Sequence, residues 1–196
     1  SNNSEKTLTS ILKEKYSFIE PCHRLDRNTT GLVVFAKNEK ALSIILEKFK
    51  GSEIEKHYKC TVYGIPKRDK ETLTAYLFKD TKKSMVYISP EPKTGYRKII
   101  TSYEIIKRNK DSNTSVLDVT LHTGRTHQIR VHLAEIGHPV VGDYTYSNGK
   151  NEFNVEGQML HAKSLEFKHP ITGKLKHLEA PLPEYFEEVL KKLNQE

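Results

Sequence analysis

The sequence predicts an α+β fold, a single domain in which a mostly antiparallel, mixed sheet is flanked by helices. Three observations carry this. Between residues 57 and 122 the chain holds five short segments in which polar and less polar residues alternate with period two, separated by turn residues. Helical periodicity lies outside that block, so helices and strands are segregated rather than interleaved. The 196 residues contain no internal repeat, low-complexity tract or linker, which suits one domain with its own core.

In chain order, Thr7–Lys15 aligns Leu8, Ile11 and Leu12 on one face and reads as a short amphipathic helix. Glu20–Gly31 is a compact turn region, and the apolar, β-branched run Leu32–Ala36 reads as a buried strand. Asn38 caps a helix in which Leu42, Ile45, Leu46 and Phe49 share a face, and Gly51 ends it. Strands follow at His57–Tyr63, Thr72–Phe78, Met85–Ile88, Lys98–Ile106 and Ser115–His122, with turn chemistry at Pro90–Gly95 and Asn109–Asn113. A helix over His127–Ile136 is closed by Gly137 and stopped by Pro139, and Val140–Gly157 reads as loop. Gln158–Phe167 and Leu175–Leu178 form a final hairpin. Pro183 then opens a helix carrying Phe186, Val189, Leu190 and Leu193.

Composition narrows the function. Thirty-two Lys and Arg against 25 Asp and Glu give a net charge of +7, which favours a polyanionic partner, nucleic acid first. The longest apolar runs, Gly31–Ala36 and Leu42–Leu46, fall far short of the roughly 20 residues that cross a bilayer, so no membrane partner is expected. Cys22 and Cys60 allow at most one bridge and no apolar signal segment is visible, so the expectation is a cytoplasmic protein with reduced thiols. The chain opens Ser-Asn-Asn rather than with Met, and native residues are expected upstream.

Two clusters can carry chemistry. His23-Arg24-Leu25-Asp26-Arg27-Asn28-Thr29-Thr30-Gly31 sets one carboxylate among two arginines and a histidine. Nearby cations favour the ionised form, so Asp26 suits a nucleophile at an anomeric carbon better than a general acid. The same spacing also fits a structural Arg–Asp network that closes a loop. Thr123 to His132 packs Arg125, His127, Arg130 and His132 around a glycine turn entering a helix, either an anion-binding edge or a solvated helix start. His122, His127, His132 and His138 are spaced five or six apart, unlike two ligands on one helix face, and no Cys-x-x-Cys or His-Glu-x-x-His pattern accompanies them; no metal site is expected. Tyr58, in an alternating strand beside lysines, either packs or stacks on an unpaired base. Cys22, Cys60, Met85 and Met159 read as core or inert residues.

Together these segments resemble the RluA-type family of pseudouridine synthases. His23-Arg24-Leu25-Asp26 followed by Thr30-Gly31 and Ala36-Lys37 resembles its catalytic motif, with Thr30 where the family often has Ser; Lys56-x-Tyr58 through Gly64 is similar to its tyrosine motif. Gly124 to Leu133, with Gly137-His138-Pro139 and Gly142-Asp143, resembles its third motif, and Leu160-His161-Ala162 continues the likeness. The resemblance runs from about Leu8 to the C-terminal helix. It implies the pseudouridine synthase fold and an isomerase that turns particular uridines of RNA into pseudouridine without metal or organic cofactor.

By that analogy Asp26 is the nucleophile, attacking ribose C1′ or the uracil ring. Tyr58 stacks on the target uracil and helps remove the C5 proton, Arg130 pairs with Asp26, and Arg24 enters the RNA stack where the base has left. Arg125, His127 and Gln128 shape the same cleft as further RNA-binding residues. The chemistry needs a carboxylate near C1′, an aromatic slot for the detached base and little water, and the base must be flipped out of its stack. Members usually carry an Asn-Lys-Pro strand ahead of the catalytic motif, and many an S4-like RNA-binding domain. Residues 1–196 are therefore expected to be a catalytic domain lacking both. The expected partner is a structured RNA, 23S ribosomal RNA ahead of tRNA, met by a monomer. Competing readings are a non-catalytic RNA-binding protein and a metal-dependent phosphodiesterase.

Overall fold

The structure is a computed structural model that describes residues 6–194. Its elements are α1 (Leu8–Lys13), β1 (Glu20–Pro21), β2 (Thr30–Gly31), β3 (Phe35–Ala36), α2 (Glu39–Lys50), β4 (Glu55–Tyr63), β5 (Lys70–Asp80), β6 (Met85–Ser89), β7 (Arg97–Asn109), β8 (Thr114–Leu121), α3 (Gln128–Glu135), β9 (Leu160–Lys168), β10 (Leu175–Glu179) and α4 (Glu184–Leu193). An eight-stranded sheet runs in the order β10-β9-β4-β8-β7-β5-β6, with β2 added alongside β9. Every neighbouring pair is antiparallel except β2 with β9, which is parallel. The expected mixed, mostly antiparallel α+β architecture is therefore the one observed.

Alternation explains which face is buried. In β4, β8, β7 and β5 the residues Cys60, Leu117, Tyr103 and Leu73 point into the main core, where they meet Ile129 and Leu133 of α3 and Phe186 of α4. A second cluster packs Ile45 and Phe49 of α2 against Leu165 and Phe167 of β9. The helix ends follow their capping residues: the Asn38 side chain accepts from the Ala41 amide at 2.8 Å, and Gly51 closes α2. Leu46, expected on the buried face of α2, is 44% exposed. The amphipathic α1 is also largely uncovered, since Leu8 and Ile11 face solvent.

The apolar run 32–36 departs from expectation. It is not one strand: Thr30–Gly31 pairs with His161–Ala162 of β9, whereas Phe35–Ala36 pairs with Glu20–Pro21 in a separate two-stranded ribbon. Leu32 and Val34 bridge the two and pack under α2. Burial, not pairing, is what their apolar side chains encode.

Gly31 makes the β2–β9 junction possible. It has φ +115°, and a Cβ there would lie 2.2 Å from the Ala162 carbonyl oxygen. Beside it the Thr30 hydroxyl bonds His161 Nδ1 at 2.8 Å, while His161 Nε2 lies 3.0 Å from the Ala180 carbonyl. A carbonyl can only accept, so His161 carries a proton on Nε2 and donates it to Ala180. Gly31→Ala should cost at least about 2 kcal/mol, because neither backbone can retreat. In thermal unfolding that is a fall of about 4–8 °C for a domain of this size. A midpoint within about 1 °C of the parent would mean the junction is slack.

Candidate active site

A cleft of about 310 Å³ opens between the 22–29 loop, β4, the end of β8 and the 124–129 turn. That is near the lower limit of small-molecule sites, about 300–1,000 Å³, and suits one nucleoside rather than a duplex. Its apolar wall includes Leu25, Leu121, Ile129 and Leu160. Asp26 is the only carboxylate among its described lining residues, and Arg24, Lys56 and Arg125 are its cations.

The loop that carries Asp26 is held from its base. The Thr29 amide returns to the Asp26 carbonyl at 3.0 Å. Buried Gln158 donates to the Arg27 carbonyl at 2.5 Å and to the Thr29 hydroxyl at 3.1 Å. Asn28 stands at φ 67°, a conformation Asn tolerates. Together with Thr30 and Gly31, every one of these tethers except the local turn comes from residues 158–162.

Tyr58 enters the cleft from β4 at the point where register with β9 shifts: His57 pairs with Ser164 but Tyr58 with Ala162, leaving Lys163 as the extra residue. Such bulges re-aim a side chain. Its hydroxyl has no hydrogen-bond partner among the described residues. Burial, and then the charge of Asp26, raise the Tyr58 pKa well above the usual phenol value.

Arg130 is 6% exposed and lies with its Nη1 3.6 Å from Asp26 Oδ2. Its principal partner is a different acid. Asp143, fully buried, accepts from Arg130 Nε at 2.7 Å and Nη2 at 2.9 Å, a bidentate fork. Burial opposes the charge on Arg130, but these hydrogen bonds and the two carboxylates outweigh it and the pKa rises. Asp143 also accepts from the amides of Thr145 and Tyr146, so one carboxylate fixes both the guanidinium and the turn beside it. The Tyr146 ring then lies 5.1 Å from the Arg130 guanidinium carbon, and its hydroxyl is 2.7 Å from His127 Nδ1. His127 itself sits in the left-handed region at φ 56°, and burial lowers its pKa against the pull of Asp26.

The other expected site residues divide. Arg24 and Arg125 are exposed at the cleft without an acidic partner among the described residues, as is half-buried Lys56. Gln128, expected as an RNA-binding residue that shapes the cleft, lines it but is buried. Its oxygen accepts from the Thr123 hydroxyl and the Arg125 amide, and its nitrogen donates to the Ile100 carbonyl and the Thr101 hydroxyl. All four hydrogen-bonding positions of the amide are used inside the protein, so Gln128 shapes the turn that presents Arg125. His23 is likewise internal: Nε2 accepts from the Val34 amide, and burial and Lys56 lower its pKa to about 4. The remaining clustered histidines each have a separate partner, His122 with Ser102, His132 with Thr101 and His138 with the Tyr63 carbonyl. Cys22 and Cys60 are free, buried thiols with raised pKa values, caused first by burial.

Asp143, Tyr146 and Gln158 received no role from the sequence. The signal available was the Gly142-Asp143 pair: a Cβ at Gly142 would lie 2.1 Å from the Gly157 carbonyl oxygen, so the glycine brings the loop against itself and turns Asp143 inward.

Residues 1–135 match the family described as RNA pseudouridylate synthase. The chain belongs to that family. Within it, the chain is 35% identical over 175 residues to the dual-specificity RNA pseudouridine synthase RluA of Pasteurella multocida, covering 88% of this chain and 77% of that one. It is 33% identical over 187 residues to the ribosomal large subunit pseudouridine synthase C of Buchnera aphidicola, covering 90% of this chain and 57% of the relative. Human RNA pseudouridylate synthase domain containing 1 superposes with TM-score 0.74 at 25% identity, over 95% of this chain and 84% of the other. These matches support the RluA-type assignment. The chain spans just over half the length of several curated relatives.

Two outcomes test the electrostatics of this site. Asp143→Leu leaves Arg130 buried without its fork and should cost about 3–5 kcal/mol in urea unfolding. Adding Arg130→Met should recover much of that loss; a double variant as unstable as the two singles summed would show no coupling. The second concerns His132, whose Nδ1 is hydrogen-bonded with the Thr101 hydroxyl at 2.8 Å. Burial lowers its pKa to about 4, below the unfolded value of about 6.5. The unfolded chain then binds the proton more readily, so stability is complete above pH 6.5 and is lost as pH falls from about 6.5 toward 4. His132→Gln should flatten that slope by one proton in urea midpoints measured across this range.

Proposed function

We propose that this chain is the catalytic part of an RNA pseudouridine synthase that isomerises particular uridines of 23S ribosomal RNA, acting as a cytoplasmic monomer without metal or organic cofactor. One observation carries the reading: the cleft holds a single described carboxylate, Asp26, 3.6 Å from a guanidinium that a buried acid keeps rigid, with Tyr58 and an apolar wall around it. That arrangement suits an anionic nucleophile facing a flat, weakly polar base. The name of the Buchnera relative, a large-subunit enzyme, supports ribosomal RNA as the substrate.

In this reading Asp26 attacks C1′ of a flipped uridine, and the N1–C1′ bonding pair leaves with the uracil. The ring turns within the cleft, C5 attacks C1′ and the carboxylate departs. A proton leaves C5 and one is taken up at N1, so composition is unchanged. Attack on the uracil ring uses the same carboxylate and the same contacts. Arg130 holds Asp26 beside C1′. Tyr58, a neutral phenol by virtue of its burial, is a poor resting base, so its first role is to stack on the ring. Arg24, Lys56 and Arg125 offer phosphate contacts that offset the few kcal/mol needed to flip a base.

Asp26→Asn should abolish product, by at least about a thousandfold, and leave RNA binding within a few fold, because the nucleophile goes and the phosphate contacts stay. The measurement is mass-spectrometric mapping of pseudouridine in RNA from cells with the intact gene, a deletion, and the Asp26→Asn complement. A ribosomal site lost on deletion and not restored by the variant is the expected result. Restoration by the variant would remove Asp26 from the chemistry, and a lost site in tRNA would change the substrate.

A further inference from the structure

The hairpin formed by β5 and β6, with the turn leading into β7, has two unlike faces. Its inner face puts Leu77, Val86 and Ile88 against Tyr146, the residue that touches His127 and Arg130. Its outer face is aromatic. Phe78 and Tyr87 stand directly opposite each other on β5 and β6, at 37% and 40% exposure, and Tyr96 stacks on Phe78 with centroids 5.5 Å apart and planes at 27°. Tyr76 lies two residues along on the same face, opposite Lys98 of β7.

Charge singles this face out further. Residues 76–98 contain six Lys and Arg against two acids, Asp80 and Glu91, so a short segment carries more than half of the chain's net charge. Asp80 is committed to its own turn, where it accepts from the Lys82 and Lys83 amides. None of the six cations has a carboxylate partner among the described residues, and Lys93 Nζ lies 5.7 Å from the Tyr96 ring. Lys98 shares the aromatic face, while Lys79 and Arg97 pair with Val86 and Leu77 and so belong to the inner one. Cations without a carboxylate partner therefore stand on both faces beside the short edge strand β6.

We propose that this outer face is a second RNA-contacting surface, on which Phe78, Tyr87 and Tyr96 stack unpaired bases while Lys93 and Lys98 hold the neighbouring phosphates. Aromatic rings interleaved with unpaired cations are the pattern of single-strand platforms. Protein interfaces also favour aromatics but are depleted in lysine, so nucleic acid is the better fit. The proposal rests on the reading of the cleft as RNA-acting, and it extends recognition to nucleotides flanking the flipped uridine.

The test uses the full chain and a fluorescein-labelled dodecamer of uridine, read by fluorescence anisotropy. The triple variant Phe78→Ala, Tyr87→Ala, Tyr96→Ala should bind at least about tenfold more weakly. Lys93→Glu with Lys98→Glu should weaken binding similarly and make its dependence on salt shallower. Both lysines are exposed, so that charge pair decides the question if the triple variant unfolds. Binding within twofold of the parent by the folded triple variant, or by the charge pair, overturns the proposal. So does loss of a dimer in sedimentation without loss of RNA binding, which would make the face a contact between copies. The assay needs no turnover, so its failure is distinguishable from failure of the proposed activity: the first leaves pseudouridine mapping intact, the second removes it whatever the dodecamer shows.

Discussion

The contact on which the rest of the site depends is the one with no room in it, Gly31 against the backbone of β9. Asp26 belongs to a loop, and loops are where backbone order is weakest. Here the loop ends on a strand seated against β9 at less than side-chain distance, and Gln158 and His161 fasten the residues on either side. Since β9 also pairs with β4, the loop and Tyr58 share one rigid support. The separation of Asp26 from Tyr58 is thus set by strand pairing. A functional group on a loop gains the precision of a sheet by this means.

Arg130 shows a second constraint. A guanidinium at 6% exposure needs an acid, and Asp26 alone, at 3.6 Å, offers a loose one. The bidentate fork to Asp143 meets that need elsewhere and leaves Nη1 for Asp26. Under the proposed reaction this matters, because a carboxylate locked in a tight ion pair is a weak nucleophile. Asp143 supplies the tight pair, so Asp26 is oriented by Arg130 without being consumed by it.

How much of this was legible in the sequence follows from where each signal lies. Asp26 and Tyr58 sit in dense local patterns, and the strands of the sheet announce themselves by alternation, so both were readable. Asp143 and Tyr146 lie in a stretch that reads as loop because nothing periodic marks it, and Gln158 opens a segment that reads only as strand; their value comes from contacts made across the fold, to residues 13 or more positions away. The run 32–36 misled because apolar content reports burial, and here burial under α2 is shared by a segment whose ends pair with different sheets. Gln128 shows another limit: its place in a motif says nothing of the four hydrogen bonds that occupy its amide inside the fold.

The charges of the molecule are sorted by depth, and that sorting argues for how it would handle RNA. Near the cleft, buried charge is paired, Arg130 with Asp143, and the buried or half-buried imidazoles of His23 and His132 are neutral at physiological pH because burial lowers their pKa values. Around the mouth, Arg24 and Arg125 are uncompensated and exposed. A phosphate approaching from solvent meets cations that have no other partner, whereas a base entering the cleft meets apolar walls and a phenol. The long-range term therefore acts on the backbone and the short-range term on the base, the division expected when affinity comes from phosphates and selection from the flipped nucleotide. A protein built only to hold RNA has no need of a rigid inner ion pair around a lone carboxylate, and that inner pair is the feature that favours an enzyme over a binding module.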